Sequence, residues 1–415
     1  MTQIEPASAS YRSVLADREF RAVLVSDALS VVGDQVARLA VALLVFERTG
    51  SALAASATFA CSYLAWLFGG PVLSALADRL PRRRVIVTSD IARSGLVALL
   101  VVPGLPLWSL FAVLVLVGLL APPFDAARSA LMADVLEGDR YVAGNALLGA
   151  VGQAGQVGGF VLGGGLVALL GVRGALLVDA ITFAVSAALF VVMVRDRPVT
   201  APTVRGSLAA ELAAGLRLVS TSRRLRSLLG WGLLVAVMTI APEGLAVAVA
   251  DDLGGGSLAA GVLTAAVPAG FVLGCWLVLR LPVQRRPQTF PWLVVLSSVA
   301  LAVTPLLQEL WQVAAAWALA GVGTSLQLVA NSAFVQAVPP HLRGRAFGIA
   351  GTVLMAAQGA ALLGAGALAE VLGPQGAVAA LGIAGLACML CVRLPRRFRD
   401  DPAQGDGRTG RGGAT

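Results

Sequence analysis

Apolar residues fill this chain in long uninterrupted blocks. Each block is roughly 20 residues long, the length that a helix needs to cross the hydrocarbon core of a bilayer. Backbone amides in lipid must be hydrogen bonded within their own segment, so such blocks predict helices. A β-barrel would need short alternating strands, and the blocks do not alternate. We count twelve blocks, at 21–46, 52–77, 85–102, 107–132, 141–170, 172–194, 228–250, 256–280, 289–307, 311–337, 346–370 and 374–393. The pattern therefore predicts an all-α membrane protein of about twelve transmembrane helices.

A polar, arginine-rich segment separates six blocks from six. The sequence thus predicts a cytoplasmic tail (1–20), a six-helix bundle (21–194), a cytoplasmic central loop (195–227), a second six-helix bundle (228–393) and a disordered cytoplasmic tail (394–415). The two halves also repeat. An offset of 203 residues pairs Gly118 with Gly321 and Arg140 with Arg343, and an offset of 202 pairs Gly171 with Gly373. One register that holds across several loops indicates two parallel six-helix repeats.

Charge is sparse and unevenly placed. Only 13% of residues are charged against 58% hydrophobic, and the net charge is +8. The basic residues follow the even-numbered blocks, where positive charge fixes membrane orientation, so a nucleic-acid partner is not expected. This placement predicts cytoplasmic termini in a bacterial inner membrane. The four cysteines lie inside apolar blocks, which predicts neither a disulfide nor a metal site.

The loop after the second block carries a charged motif, SALADRLPRRR at 74–84. It resembles the loop motif of the major facilitator superfamily, G-x-L-a-D-r-x-g-r-r. Asp78, Arg79, Arg82 and Arg83 match that pattern, whereas Ser74 and Pro81 stand where the motif has glycine. The resemblance covers roughly residues 20–393 and implies the twelve-helix fold of these transporters.

The resemblance also implies a role for this loop. In the family the acid faces a helix N-terminus in the other half, here the eleventh helix, which begins with Arg343 and Arg345. The family's arginines pair with an acid near the inner end of the fourth helix. Asp125, which precedes Arg128 by one turn, is our candidate partner for Arg82 or Arg83. Such contacts would hold the cytoplasmic side closed. The alternative is charge that only sets orientation and forms weak surface pairs.

Within the superfamily the chain resembles the bacterial group of the enterobactin exporter and macrolide-efflux-like proteins, on the strings PFDAAR (123–128), GNAL (144–147), DAITF (179–183) and RGR (343–345). The fifth block resembles the antiporter motif g-x-x-x-G-P-x-x-G-G. Gly155, Gly159, Gly163 and Gly164 fit its spacing, and Phe160 replaces the proline. In the family this motif accompanies export. The alternative is ordinary close packing of helices through small residues.

Charges at membrane depth are costly and are functional candidates by default. Asp34 and Arg38 lie one helical turn apart in the first block, and Glu243 follows Pro242 in the seventh without a basic neighbour in sequence. Asp34 and Glu243 are therefore the candidate proton or substrate acids, and Asp125 is the next acid to consider as the proton carrier. Two further acids are expected to be structural: Asp90, paired with Arg93, and Asp179.

The expected cavity lies between the first, fourth, seventh and tenth helices. Its polar candidates are Gln35, Thr239, Gln327 and Asn331. Few aromatics accompany them, which favours an apolar or amphipathic small-molecule substrate. No nucleotide-binding loop is present, so neither an enzyme nor a cofactor is expected. The leading hypothesis is a monomeric, proton-coupled efflux transporter. The alternatives are uptake by the same fold, or a non-transporting membrane sensor or scaffold.

Overall fold

The computed structural model describes residues 11–77, 80–197, 217, 220–338 and 343–391, and within these ranges the chain is helical with no strand. A five-residue helix, Tyr11–Leu15, precedes the spanning helices. We number the spanning helices α1 (Arg18–Thr49), α2 (Ala52–Ala77), α3 (Arg82–Leu100), α4 (Leu107–Leu119 and Ala121–Val135), α5 and α6 (138–170 and 172–193, a run divided at Gly171), α7 (Arg223–Asp252), α8 (Ser257–Arg280), α9 (Phe290–Ala302), α10 (Leu310–Thr324 and Leu326–Ala337), α11 (Arg343–Leu372) and α12 (Pro374–Cys391). The predicted all-α fold with twelve spanning helices is confirmed.

Length and composition alone mark seven of the described helical runs as able to cross a membrane, and one of these runs contains both α5 and α6. The helices α2, α9 and α12 contain shorter apolar stretches. The exception is α3, which carries Arg82, Arg83, Arg84, Asp90 and Arg93 among its 19 residues. A helix this polar can span a membrane only where its neighbours cover its charges.

Turns at equivalent positions show the repeat between the halves. Gly171 (φ 69°) joins α5 to α6, and Gly373 (φ 75°), 202 residues later, lies between α11 and α12. Gly50 (φ 62°) and Gly254 (φ 67°) occupy the turns after α1 and α7. Glycine adopts this left-handed conformation without the steric penalty that a Cβ brings. The backbone turns therefore repeat between the two halves, as the sequence offset predicts.

Packing inside each half repeats as well. A Cβ at Gly118 of α4 would lie 2.8 Å from the Ala65 Cβ of α2, and one at Gly321 of α10 would lie 2.9 Å from the Gly270 Cα of α8. The helix pairs α4–α2 and α10–α8 are equivalent by the 203-residue offset. In both repeats a glycine lets the helix backbones approach closely.

The two halves, α1–α6 and α7–α12, meet along the helix pairs α2–α11 and α5–α8, and α2 also touches α7. We call the end that carries the loops after α1, α3, α5, α7, α9 and α11 the odd-loop end, and the opposite end the even-loop end. At the odd-loop end the backbones nearly touch. A Cβ at Gly164 of α5 would lie 2.5 Å from the Ser257 carbonyl oxygen of α8, and one at Gly366 of α11 would lie 2.7 Å from the Leu53 Cα of α2.

The helices stand apart toward the even-loop end. Nothing lies within 4 Å of a Cβ position at Gly149 or Gly152 of α5, or at Gly348 or Gly351 of α11. These glycines lie on the same helices that touch the other half at the odd-loop end. Among the described residues the halves therefore touch at the odd-loop end, beside a cavity of about 560 Å³, and stand apart toward the even-loop end.

Candidate functional site

Charged side chains converge inside the first half from four helices. We call this set the first-half charge cluster; its members are Asp27, Asp34, Arg38, Asp90, Arg93, Asp125, Arg128 and Asp179. Asp27, Asp90, Arg93 and Asp179 are each less than 5% exposed. Isolated charges at such depth are expensive, so the contacts of each one decide what the cluster can do.

Arg128 of α4 holds two carboxylates. Its guanidinium forms an ion pair with Asp27 of α1, and its Nη2 lies 3.2 Å from the Asp125 Oδ1 one turn earlier on its own helix. Asp125 is thus paired with Arg128 of its own helix. Asp27 was not among the sequence candidates. It could have been found as an acid inside an apolar block, two helical turns before Asp34 and so near the same face.

The expected pairing of Asp125 with Arg82 or Arg83 is wrong. Arg82 forms an ion pair with Asp134 and donates to the Ala130 carbonyl at 2.9 Å. Arg83 donates to the Val191 carbonyl of α6. Asp134 lies at the even-loop end of α4, beside the start of α3. Asp125 is nine residues earlier, about 13 Å deeper along the helix axis, beyond the reach of either arginine.

Asp90 and Arg93 of α3 have different direct partners, contrary to the expected ion pair. Asp90 accepts a hydrogen bond from the Ser186 Oγ of α6 at 2.6 Å. The Arg93 guanidinium lies over the rings of Phe124 and Phe183, 5.0 and 5.5 Å from their centroids. Asp90 Oδ1 and Arg93 Nε have no hydrogen-bond partner. Arg93 is therefore stabilised mainly by aromatic faces and by longer-range attraction to the acids.

Asp34 is the hub of the cluster. It interacts electrostatically with Arg93 and Arg38, and also with the carboxyls of Asp90, Asp125 and Asp179. Next to it, Gly33 packs directly on Asp179, because a Cβ there would overlap the Asp179 carboxylate and the Thr182 hydroxyl. Asp179 accepts from Thr182 at 3.2 Å, while its Oδ2 is buried without a partner. The acid that the sequence marked as merely structural thus belongs to the network around Asp34.

Glu243 of α7 connects the second half to this network. It is 3% exposed, and its Oε1 has no hydrogen-bond partner. The Arg38 guanidinium lies over the Tyr63 ring of α2, 6.0 Å from its centroid, and interacts electrostatically with Glu243. Glu243 has no basic neighbour in sequence, but the fold supplies one from the other half. Arg38 therefore interacts electrostatically with both candidate acids, Asp34 and Glu243.

A cavity of about 360 Å³ opens beside Arg128 and Asp27. It lies between α1, α4 and α5, toward the end where the halves stand apart. Its lining is Asp27, Val31, Arg128, Ser129, Met132, Asn145, Leu148, Gly149, Gly152 and Gln153. Apolar side chains thus alternate with hydroxyl, amide and charged groups, a lining that suits an amphipathic small molecule.

The other polar candidates lie in different surroundings. Gln327 of α10 is half-buried and Asn331 is exposed. Gln35 is buried against Gly159 of α5, and its Oε1 has no partner. Thr239 donates to the Val235 carbonyl of its own helix at 2.8 Å. Of these four, Gln35 is the buried group whose hydrogen-bonding capacity is unused.

The glycines of α5 serve two interfaces. Cβ atoms at Gly155, Gly159 and Gly163 would each lie within about 3 Å of α1 atoms, whereas Gly164 faces α8 in the other half. The first three let α1 and α5 pack closely, as small-residue stripes do. The fourth lies at the closed contact between the halves. Close packing accounts for all four positions, and a role in export stays a prediction.

Several predicted residues cannot be placed. Asp78 and Arg79 lie outside the described residues, as does most of the central segment. Arg343 and Arg345 begin α11, but their side chains are outside the described part of the chain. Among the residues that the structure describes, no group of three or more His, Cys, Asp or Glu is arranged to hold a metal ion.

Comparisons with known proteins bear on this architecture. The family profile described as Major Facilitator Superfamily matches residues 23–281 and 244–413. Together these segments span most of the chain. No relative is found among proteins of curated function.

Solved structures of transporters share the fold at low sequence identity. The nucleoside transporter NupG superposes with a TM-score of 0.71 at 12% identity, covering 90% of this chain and 99% of its own. A POT family transporter crystallised with a thioalcohol-conjugated peptide gives 0.72 at 12%, with coverages of 90% and 95%. A bacterial homologue of the iron transporter ferroportin in an inward-facing state gives 0.67 at 15%, with coverages of 90% and 98%. At these identities the likeness establishes the fold alone.

Proposed function

The chain belongs to the Major Facilitator Superfamily, and from this premise we propose that it exports small hydrophobic or amphipathic molecules in exchange for protons. Membership supports a multi-pass membrane transporter of small molecules rather than an enzyme. The direction of transport, the coupling ion and the substrate class are the proposal. Antibiotics and siderophores are the substrate types that the resemblance to the enterobactin-exporter and macrolide-efflux-like group suggests.

The observation that carries proton coupling is the charge balance of the first-half charge cluster. Its five carboxyls face three guanidinium groups, which leaves a formal excess of two negative charges at membrane depth when all are ionised. Uncompensated buried charge is costly, and binding a proton removes it. Asp90, Asp179 and Glu243 each keep one buried oxygen without a partner, so each has an oxygen free to take a proton.

Export rests on the antiporter-type glycines and on the subgroup resemblance. The mixed lining of the cavity beside Arg128 supports an amphipathic substrate. Uptake by the same fold is the competing function. A transporter that moves substrate and protons in the same direction would use the same residues. A sensor or scaffold without transport is disfavoured, because it has no need for an excess of buried carboxyls.

Transport into inside-out membrane vesicles tests the proposal. Vesicles that carry the protein, energised to an acidic interior, should accumulate a fluorescent amphipathic dye several-fold more than vesicles without it. Collapsing the pH gradient with nigericin should abolish that difference. A difference that persists without the gradient would exclude proton coupling. Dye uptake driven into right-side-out cells would favour import.

We also propose a monomer in a bacterial cytoplasmic membrane, with both termini and the central segment in the cytoplasm. In this orientation the odd-loop end faces outward. We keep the boundaries 1–20, 21–194, 195–227, 228–393 and 394–415 for the tails, bundles and central loop. Arginine is concentrated in the even-numbered loops and is scarce in the odd-numbered ones, which supports the assignment.

Reporter fusions test that orientation. An alkaline phosphatase fusion after Arg224 should be inactive, because that position is expected in the cytoplasm. A fusion at Gly255, between α7 and α8, should be active outside it. Green fluorescent protein at the same two sites should give the reverse pattern. The opposite result at both sites would invert the topology.

A further inference from the structure

Glu370 makes a polar contact between the two halves. It lies near the odd-loop end of α11, in the second half. Its Oε1 accepts a hydrogen bond from the Ser51 Oγ at 2.7 Å and one from the Leu53 backbone N–H at 3.1 Å. Both donors belong to the first half, at the start of α2. The contact joins residues more than 300 positions apart in sequence.

This contact completes the N-terminus of α2. The first N–H groups of a helix have no partner within the helix, and that end carries a partial positive charge. Ser51 covers one of these groups, because its Oγ accepts from the Ala54 N–H at 3.0 Å. The Glu370 carboxylate covers the Leu53 N–H and also binds the Ser51 hydroxyl. One helix cap is therefore shared by two halves that must move relative to each other during transport.

The surroundings hold the same helix end in place. Gly366, one turn before Glu370, packs against Leu53, and the Ser56 Oγ of α2 donates to the Gly244 carbonyl of α7 at 2.8 Å. Gly164 of α5 is equivalent to Gly366 by the 202-residue offset, and it makes the matching contact with α8. At that offset Ala168 takes the place of Glu370. The carboxylate cap thus distinguishes one of two otherwise equivalent interfaces.

We propose that Glu370 is a gating residue that keeps the odd-loop end closed. The start of α2 cannot leave α11 without breaking both hydrogen bonds and uncovering the helix N-terminus. Glu370 therefore biases the equilibrium between the closed and open states of this end. The proposal depends on motion of the two halves and not on the substrate, the coupling ion or the direction of transport.

Distance measurements between the halves test this role. Spin labels at Leu170→Cys and Asp251→Cys, with the four native cysteines replaced by alanine, report on the odd-loop end. Both positions are exposed and line one cavity between the halves at that end. In the full chain in nanodiscs, Glu370→Ala should raise the ratio of open to closed populations about threefold, as expected for losing a solvent-exposed carboxylate that caps a helix N-terminus. Glu370→Gln should give a smaller rise.

Matched variants separate gating from general damage. Glu309 caps α10 within its own half, so Glu309→Ala should leave the distance distribution unchanged. Gly164→Ala should open the same end by steric pressure on α8, whereas Gly165→Ala should not, since nothing lies within 4 Å of its Cβ position. If Glu370→Ala does not fold, Glu370→Gln and Ser51→Ala decide the matter in the same assay. A wild-type distribution in the folded Glu370 variant overturns the proposal.

Discussion

Replacing Asp78 by asparagine is expected to abolish transport, or to reduce it by about tenfold or more, while the protein remains folded in the membrane. The reason is the family resemblance of the loop, in which this acid faces the N-terminus of α11 in the other half. A carboxylate at a helix N-terminus contributes up to about 2 kcal/mol, and an asparagine there keeps the size but not the charge. The measurement is dye transport at matched membrane levels of protein.

The described neighbours of the loop explain why Asp78 is the residue to test. Arg82 and Arg83 are bound to Asp134, Ala130 and Val191, all in the first half. These arginines fix the start of α3 to its own bundle, and it is the family resemblance that assigns the contact with the other half to Asp78. The two roles predict different defects. Asp134→Asn should loosen the loop within the first half and lower thermal stability, whereas Asp78→Asn should change transport with little loss of stability.

A matched control variant separates the loss of the Asp78 contact from a general loss of surface charge. Asp139 lies in the first turn of α5 at the same end of the bundle and is exposed. Asp139→Asn removes an equal charge from that surface and should leave transport near the wild-type rate. Normal transport by well-expressed Asp78→Asn would remove the proposed contact between the halves.

The helices and the repeat were predictable because they depend on local patterns. Apolar blocks marked the spanning helices, with the polar α3 as the weakest of them, and the glycine offsets matched the equivalent turns at Gly171 and Gly373. The break in α4 at Leu120 precedes Pro122 and Pro123, a local signal for a helix break that the count of apolar blocks does not use. The break in α10 at Ser325 lies in an apolar segment without proline, where a local change of backbone geometry leaves the composition unchanged.

The partners within the candidate site were less predictable because ion pairs join residues that are distant in sequence. Spacing alone favoured Asp90 with Arg93, but the packed α6 supplies Ser186 and Phe183 instead. Arg82 takes Asp134 because helix depth, which a motif does not encode, puts Asp125 out of reach. Glu370 was missed for the same reason, since its donors lie on a helix of the other half.

Arg38 shows what the fold adds to the two candidate proton acids. From the sequence it is a neighbour of Asp34 alone. In the structure it lies over Tyr63 and attracts both Asp34 of its own helix and Glu243 of the other half. A proton on either acid changes how strongly Arg38 is held by the other. In the proposed mechanism, this one guanidinium group would couple proton binding to the contact between the halves.

Neutralising each of the two acids is therefore expected to impair transport in a different way. We predict that Glu243→Gln loses most gradient-driven dye accumulation, because Glu243 is the buried acid that meets Arg38 across the halves. Asp34→Asn should weaken transport at any gradient, because Asp34 is the hub of the first-half charge cluster and its loss leaves Arg93 and Arg38 less compensated. Both variants are compared with wild type in inside-out vesicles over a series of imposed pH differences.

The curve of dye accumulation against the imposed pH difference separates the role of a proton carrier from that of a site or gating acid. A proton carrier replaced by its neutral analogue should give accumulation that no longer rises with the pH difference, whereas a site or gating acid should give a lower curve of the same form. Asp252→Asn, an exposed acid at the odd-loop end, serves as the control and should follow wild type. If both Glu243→Gln and Asp34→Asn keep the full gradient dependence, the carrier is another carboxyl. Asp125 is then the next to test, because it shares Arg128 with Asp27 beside the cavity and interacts with Asp34.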